Sequence, residues 1–497
     1  MKALVLGAGF AGLTAAAELA RYGLNVTLLE QQPQLGGKAS EYVETGYRFD
    51  TGPHLFTLPQ IYQSLFTSQD AVTPVELLPL EPLTRYFFPL GRVWDVYFDS
   101  KNQDGDDQLD RTTASLTEGE IQAFLALRDD AKQLFEGAKD TFLYGPAPSV
   151  WTLMRYGLRE GLRAHPGKTV AQLVAHVCEQ HGASSDVAQF FLRFATYFGA
   201  NPYRAPAVLH NIAWVELGHG AFHPVGGITA VINSLKDLAK SRGVKVHAQQ
   251  QVNKLVRRGK RVVAVQTQDS SYEADVVVSS LDVIRTHQLL GRQSSQTRLT
   301  PSLSGFVLLL GLRGTSENLV HHNISFSADY PQEFADIEAG RFAQDPTIYI
   351  SISSKQQAGD APAGCENWFI LVNAPALSTL PVTAHHYEGP SPDEQMYANH
   401  IIDVLEKRGF EVRSRIEVQH ILPPRYLAQF ASYGSIYGAA PHNLLTTIRP
   451  KPRVRGVDNL WLAGGTVHPG GGMPLAMLSG QQAAASIVKR YKLSVTN

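Results

Sequence analysis

The chain has 497 residues, more than one ordinary hydrophobic core accommodates, so we expect two or three lobes. Its 44 Lys and Arg residues nearly cancel its 45 Asp and Glu residues. This balance argues against nucleic acid as a partner, because phosphate binding requires an excess of cations. The two cysteines, Cys178 and Cys365, have no zinc or redox spacing. We therefore expect no metal site, no disulfide framework and a reducing, intracellular setting.

The first thirty residues have a strand–helix–strand pattern. Residues 2–6 predict a buried parallel strand, residues 11–22 an alanine-rich helix and residues 25–30 a second strand. The first strand is interrupted by glycine before it could form the apolar core of a secretory signal, so none is expected. The longest uniformly apolar run, residues 306–310, is far shorter than the roughly 20 residues that cross a bilayer. No transmembrane segment is predicted.

A glycine fingerprint lies between the first strand and the first helix. Gly7, Gly9 and Gly12 match G-x-G-x-x-G, in which the first glycine allows the tight turn and the second lets backbone N–H groups approach a pyrophosphate. The third allows close packing of helix on sheet. Glu30 ends the second strand, where a carboxylate accepts the ribose hydroxyls and repels a 2′-phosphate. This combination predicts a dinucleotide site that disfavours NADP.

Two further loops follow the fingerprint. Gly37 and Lys38 belong to a Leu-Gly-Gly-Lys segment, and Gly52 and Pro53 belong to an Asp-Thr-Gly-Pro segment that His54 follows. A nicotinamide-binding domain would continue here with another strand and helix. A Gly-Gly pair with a cation instead indicates a loop laid along a larger cofactor, with Lys38 near a phosphate.

The predicted secondary structure changes twice in the middle of the chain. Residues 53–220 have a helical pattern, with an expected capping box at 115–118 and an amphipathic stretch at 150–163. Short valine-rich strands return near 244–282, and a mixture of strands with one helix occupies about 303–427. The return of strands after a long insertion predicts a discontinuous nucleotide domain.

A glycine-rich loop lies near the C-terminus, between a strand and a helix that we expect over residues 476–491. Its backbone can pass beside a flat ring, and the helix N-terminus can stabilise the negative charge that develops on a flavin taking up hydride. The residues that we expect to contact the flavin here are Gly465, Thr466, Gly471, Gly472 and Met473.

These motifs, in this order, resemble the bacterial-type phytoene desaturase family over essentially the whole chain. A Pro-Val-Gly-Gly segment at 224–227 and a Val-rich segment at 274–279 add to the likeness. Segments 433–438 and 467–472 are more similar to the hydroxycarotenoid 3,4-desaturase branch. Position 54 departs from the family, which usually has a small polar residue there. The resemblance implies FAD as cofactor and assigns Val252 a backbone contact to adenine.

The fold implied by this resemblance is α/β. We expect a discontinuous Rossmann-type FAD-binding domain, a mixed β-sheet substrate domain and a helical, membrane-facing lobe. The FAD-binding domain is expected at 1–80, 221–300 and 441–497, the helical lobe at 81–220 and the substrate domain at 301–440.

The implied reaction removes hydride and a proton from a carotenoid and so extends its conjugation, with oxygen or a quinone as the electron acceptor. His54 and His468 are the candidate catalytic bases, and His54 is also a candidate cofactor contact. Five aromatic residues are either stacking partners for a polyene or plain core: Phe190, Phe191, Phe194, Tyr197 and Phe198. Two alternatives stay open, an FAD-dependent amine oxidase and a non-catalytic flavin-binding escort for isoprenoids.

Contact with a membrane is expected from the 150–163 stretch. Trp151, Met154, Leu158 and Leu162 form an apolar stripe bordered by arginines, as in helices that dip into one leaflet. The alternative is an amphipathic helix packed on its own protein. We expect peripheral, monotopic association with the cytoplasmic face of a membrane.

Overall fold

The structure is a computed structural model that describes residues 1–98, 106–161, 163–378 and 387–494. For residues 106–108 only the backbone is described. In this part of the chain the α-helices are α1 Phe10–Arg21, α2 Pro59–Gln63, α3 Asp106–Thr113, α4 Glu118–Ala138, α5 Val150–Glu160, α6 Val170–His181, α7 Ser185–Leu192, α8 Ile212–Leu217, α9 Gly227–Ser241, α10 Val283–Leu289, α11 Tyr330–Glu338, α12 Pro392–Lys407, α13 Pro424–Leu427, α14 Leu444–Thr447 and α15 Met473–Tyr491.

The strands of the same ranges are β1 Lys2–Leu6, β2 Asn25–Leu29, β3 Glu41–Glu44, β4 Tyr47–Asp50, β5 Leu77–Pro79, β6 Thr84–Phe87, β7 Val93–Val96, β8 Phe222–Pro224, β9 Lys245–His247, β10 Val252–Arg258, β11 Arg261–Thr267, β12 Ser271–Glu273, β13 Val276–Ser279, β14 Ser304–Arg313, β15 His322–Ser325, β16 Ile348–Ile352, β17 Cys365–Ala374, β18 Ile416–Leu422 and β19 Leu460–Leu462. Helices and mixed sheets together make this an α/β fold.

A parallel sheet in the order β19-β13-β1-β2-β9 forms one layer of the molecule. Its strands come from three stretches of chain that are far apart in sequence. Helix α1 connects β1 to β2 and packs against α9 and α15. Apolar strands such as β13 are buried along their whole length, because helices or other elements cover both faces of a parallel sheet.

A seven-stranded sheet in the order β18-β14-β17-β16-β15-β6-β7 forms a second layer. Its pairs are antiparallel except β15 with β6. Side chains alternate along β17, so Trp368 and Ile370 belong to the core cluster that includes α12, whereas Phe369 and Leu371 line a cavity on the other face.

Strands β6 and β7 lie inside the stretch that the sequence pattern predicted to be helical. Each has four residues, too few for a clear alternation, and pairing within the sheet determines their conformation, β6 with β15 and β7 with β6. The expected capping box at 115–118 was also wrong in register. Thr117 caps α4 and forms the box with Glu120. Helix α15 begins earlier than predicted, because Pro474 is compatible with the first turn of a helix.

The helices α4, α6, α7 and α8 share a core rich in aromatic rings. Phe190, Phe191 and Phe194 are at most 1% exposed and belong to this core. Tyr197 and Phe198 instead line the cavity. None of the helices among the described residues has the length and apolar character needed to cross a bilayer.

Candidate active site

A cavity of about 1000 Å³ adjoins both sheets and the helical region. The glycine loops after β1 line it on one side, and the Phe369 face of the mixed sheet lines it on another. Residues of α5 and α14, including Leu153 and Leu445, also border it. A cofactor at the glycine loops and a large apolar molecule can therefore share one continuous space.

The fingerprint glycines have different surroundings. A Cβ on Gly12 would lie 1.9 Å from the carbonyl oxygen of Gly7, so this glycine allows α1 to pack against the turn. A Cβ on Gly9 would have only the carbonyl oxygen of Gly36 near it, at 3.7 Å, and Gly9 itself lines the cavity. Gly7 has φ of +88°, a conformation that suits glycine. The turn thus leaves open space at the positive end of α1.

Glu30 lies beside this turn. Its carboxylate accepts hydrogen bonds from the backbone N–H of Ala8 at 2.7 Å and of Gln32 at 2.9 Å. Burial raises the pKa of Glu30, opposed by these N–H donors. Val252, at the start of β10, lines the cavity together with Glu30. Glu30 is therefore in contact with the glycine turn, and Val252 borders the same cavity.

The second and third loops contact each other. A Cβ on Gly52 would lie 2.7 Å from the carbonyl oxygen of Lys38, and a Cβ on Gly37 would have only the Cα of Gly9 near it, at 3.7 Å. Lys38 donates a hydrogen bond from Nζ to the carbonyl oxygen of Ile436 at 2.7 Å. Burial lowers the pKa of Lys38 to about 8. This cation lines the cavity, as does Pro53.

The C-terminal loop is close-packed. A Cβ on Gly465 would lie 3.4 Å from the Cα of Gly471, and a Cβ on Gly471 would overlap the ring of Tyr437. The hydroxyl of Thr466 accepts a hydrogen bond from the N–H of Val283 at 3.2 Å. Gly465, Thr466, Gly471, Gly472 and Met473 all line the cavity, so the first turn of α15 borders it.

These surroundings fit a large anionic cofactor. Gly9 and Gly37 leave room at the positive end of α1. The half-buried Lys38 and the buried Arg449 line the same space. Arg449 donates from Nη1 to the carbonyl oxygen of Ala439 at 2.5 Å, while its Nη2 has no partner among the described residues. Burial lowers the pKa of Arg449 to about 10, and a bound anion would compensate such cations.

His54 lines the cavity and lies against Phe369, with ring centroids 4.0 Å apart. Its Nδ1 has no partner among the described residues, and burial lowers its pKa to about 4. The imidazole is therefore neutral at ordinary pH and able to accept a proton, although it is a weak base.

Three further buried histidines, His223, His321 and His322, lie near His54, a feature that the sequence analysis missed. The rings of His223 and His321 are 4.8 Å apart, and those of His321 and His322 are 4.2 Å apart. The sequence signal for this cluster was the pair of adjacent histidines, His321 and His322, at the start of β15. No metal-binding group of three or more His, Cys, Asp or Glu occurs in the described ranges.

His468 has a different environment. Its Nε2 lies 3.0 Å from the carbonyl oxygen of Gly145, and it is 3% exposed. It is not among the described residues that line the cavity. Its position ties the C-terminal loop to the segment after α4 and lends no support to the predicted catalytic role.

A buried polar cluster in the cavity wall was also missed. Arg193, Tyr197, Glu216 and Tyr349 all line the cavity, and Arg193 and Glu216 form an ion pair of 2.6 Å. The sequence signal for this cluster was Arg193, a charged residue within the aromatic segment 190–198. The rest of that segment has the pattern of a buried core.

The outer face of α5 is exposed. Trp151 is 74% exposed, Met154 52% and Leu158 88%, so these three residues of the predicted stripe do not pack on their own protein. Leu162 lies outside the described residues. The opposite face of α5, with Leu153, lines the cavity.

Comparison with known proteins identifies the class. The family described as flavin containing amine oxidoreductase matches residues 10–488. The chain belongs to this family and is a flavin-dependent oxidoreductase.

Individual relatives are similar over nearly their full length. The chain is 30% identical to 1-hydroxycarotenoid 3,4-desaturase of Flavobacterium sp. (strain P99-3), over 96% of this chain and 97% of that protein. It is also 30% identical to 4,4'-diapolycopene oxygenase of Methylomonas sp, over 98% of each. Cyclohexylamine oxidase from Brevibacterium oxydans shares the fold, with a TM-score of 0.61, 16% identity and 99% of both chains covered.

Proposed function

We propose that the protein is an FAD-dependent carotenoid desaturase that works at a membrane surface. The observation that carries this proposal is the cavity, which joins the cofactor loops to a largely apolar space of about 1000 Å³ in total. A polyene has almost no polar surface, and an apolar enclosure is what such a molecule requires. The similarity to a 1-hydroxycarotenoid 3,4-desaturase supports the same substrate class.

The proposed reaction converts a CH–CH unit of the substrate into C=C, with loss of one hydride and one proton. FAD, when bound, supplies the hydride acceptor. The chain contributes enclosure and orientation, which can account for much of a rate enhancement. Neutral His54, which lines the cavity, is the candidate to hold the released proton.

The proposed FAD site uses residues from a Rossmann-type domain. Glu30 would accept the ribose hydroxyls, Val252 would contact adenine, and Gly9, Gly37 and Lys38 would border the pyrophosphate. The other proposed contacts are Gly7, Gly12, Gly52, Pro53, His54, Gly465, Thr466, Gly471, Gly472 and Met473. The domain assignment that accompanies this proposal is 1–80, 221–300 and 441–497 for FAD, with 81–220 and 301–440 around the substrate.

Helix α5 is the proposed point of membrane contact. The exposed side chains of Trp151, Met154 and Leu158 would enter one leaflet, while Arg155 and Arg159 interact with lipid headgroups. Because Leu153 on the opposite face borders the cavity, a carotenoid could pass from lipid to cavity beside this helix. Leu444 and Leu445 of α14 are 60% and 83% exposed and border the same cavity. Oxygen or a quinone would then reoxidise the flavin.

An amine oxidase is the competing function, because the family includes amine oxidoreductases. The cations Lys38 and Arg449 line the cavity, as do the carboxylates of Glu30, Asp282 and Glu216, the last of which pairs with Arg193. Arg449 has no carboxylate in an ion pair with it among the described residues, so its positive charge disfavours an ammonium ligand beside it.

The decisive experiment is anaerobic incubation of the flavin-loaded protein with an acyclic carotene in liposomes. We expect bleaching of the flavin absorbance together with a carotenoid product of longer absorption wavelength, and no bleaching by primary amines. Bleaching by an amine alone would contradict the proposal. Carotenoid binding without bleaching would instead favour a non-catalytic escort.

A further inference from the structure

One glycine of α5 lies at the boundary between the two faces of this helix. Leu153 and Tyr156 are on the face that lines the cavity, whereas Met154 and Leu158 are on the outer face, 52% and 88% exposed. Because an α-helix turns by about 100° per residue, Gly157 lies about 40° around the axis from Leu153 and about 60° from Met154, between the two. Gly157 is exposed and also lines the cavity. At this residue the outer surface of α5 meets the cavity.

Neither packing nor backbone conformation requires a glycine here. A Cβ on Gly157 would have no heavy atom of the described residues within 4 Å, apart from its chain neighbours and its own helix backbone. Its φ is not positive, so other L-amino acids can adopt the same conformation. Glycine in a helix interior is less favourable than alanine. A glycine that weakens its helix and gains no protein contact is typical of a close approach between backbone and ligand.

Two glycines inside other helices show the contrast, because each has a packing reason. A Cβ on Gly480 of α15 would lie 2.4 Å from the carbonyl oxygen of Ala11, so this glycine lets α15 pack closely on α1. A Cβ on Gly137 of α4 would lie 3.1 Å from Oε2 of Glu160, at the end of α5. Gly157 has no such neighbour among the described residues.

We propose that Gly157 is the portal through which the carotenoid enters and leaves the cavity. This inference rests on the proposed function and adds the point of entry to it. Because Gly157 has no side chain, it leaves a gap between the apolar outer face of α5 and the cavity, and the polyene passes there against the helix backbone. Its neighbours around the helix, Leu153 and Met154, are apolar, so a hydrocarbon meets no charge from them.

A portal has a kinetic signature that separates it from other roles. A side chain added at a portal obstructs entry and exit alike, so it slows association and dissociation together and leaves their ratio, Kd, nearly unchanged. A side chain that touches the bound polyene would instead raise Kd. A substitution that only disturbed α5 would lower flavin content or membrane binding.

The test follows the transfer of a carotenoid from phosphatidylcholine liposomes to the flavin-loaded protein. The ligand is the end product that the wild-type protein forms from an acyclic carotene, which it does not oxidise further. Association is measured by stopped-flow quenching of tryptophan fluorescence. Dissociation is measured by the recovery of this fluorescence after mixing with an excess of empty liposomes.

Three substitutions of Gly157 examine the portal. Gly157→Leu fills it without adding charge, so the variant should keep its flavin and float with liposomes like the wild type. We expect its association and dissociation rate constants each to fall by at least about tenfold, with a change in Kd below about threefold. Gly157→Gln has a side chain of similar size and should also slow both rates. Gly157→Ala should change neither rate by more than about threefold and should unfold at a higher temperature, because alanine favours helix.

Gly359→Leu is the matched control. Gly359 is exposed, its φ is not positive, and a Cβ on it would also have no heavy atom of the described residues within 4 Å beyond its neighbouring backbone. It lies in the 3-10 helix Ala358–Asp360 and is not among the described residues that line the cavity. This variant should retain the wild-type rate constants.

The outcomes separate the two proposals. Association of the carotenoid with Gly157→Leu at the wild-type rate would overturn the portal and leave the proposed function standing. A raised Kd with an unchanged dissociation rate would also overturn it, because exit would then be unobstructed. If Gly157→Leu does not fold, Gly157→Gln decides alone. Oxidation of no carotene by the wild-type protein would overturn the proposed function and the portal with it.

Discussion

The carboxylate of Glu30 accepts a hydrogen bond from the backbone N–H of Ala8 at 2.7 Å, which ties the end of β2 to the glycine turn after β1. Glu30→Ala should weaken FAD binding by about 1.5–3 kcal/mol, the range for hydrogen bonds to a charged group. Glu30→Gln keeps an acceptor and should lose less. Flavin affinity measured by fluorescence titration of the apoprotein checks this order, and equal affinity in all three proteins would refute it.

Gly9 and Gly12 should respond differently to enlargement. Gly9 has φ of −78° and ψ of −177°, which any residue adopts, and its Cβ would enter the cavity. Gly9→Val should therefore fold but lack flavin. Gly12→Val should lose folded protein, because its Cβ would lie 1.9 Å from the carbonyl oxygen of Gly7. The measurements are flavin content and circular dichroism, and a fully yellow Gly9→Val protein would rule out the cofactor assignment.

Replacement of the candidate bases should have small effects on chemistry. A base used in proton transfer contributes about 10²–10⁴-fold, but a carbocation loses its proton easily and His54 is a weak base. We expect both His54→Ala and His468→Ala to slow single-turnover flavin reduction by less than about tenfold. A loss of several hundredfold in His54→Ala, with unchanged flavin content, would instead identify His54 as the base.

The buried histidines should make stability depend on pH. Burial lowers the folded-state pKa of His54 to about 4, so protonation favours the unfolded chain. The stability that neutral His54 contributes is complete above pH 6.5 and is lost as the pH falls towards 4. This amounts to about 3 kcal/mol at 1.36 kcal/mol per pKa unit. Urea unfolding of wild type and His54→Asn at several pH values should show a shallower decline in the variant.

Membrane association should depend on the outer face of α5. Because Trp151 and Leu158 are 74% and 88% exposed, Trp151→Glu with Leu158→Glu should fold and keep flavin, yet fail to float with liposomes. Val43→Glu with Met396→Glu is the matched control, because these residues are 61% and 63% exposed on other elements. Flotation of the α5 variant at the wild-type level would exclude this surface.

Motifs whose chemistry depends on spacing within one short segment could be predicted from the sequence. Gly7 and Gly9 occupy the turn between β1 and α1, Gly12 lies in the first turn of α1, and the structure has that strand, turn and helix where the pattern indicated them. Glu30 follows at the end of β2 for the same local reason. The sequence also contained the family resemblance, which the comparisons confirm.

Only the tertiary structure decided which distant side chains meet. Glu216 reaches Arg193 from another helix, and His54 lies near His321 although some 270 residues separate them along the chain. The periodicity of apolar residues predicts that a residue is buried. It does not predict which residue it contacts, because contacts depend on how strands and helices pack. The sequence was equally ambiguous for Trp151, because the spacing of the apolar residues in its helix fits either core packing or contact with a membrane. Its exposure follows from what α5 packs against, which no local pattern specifies.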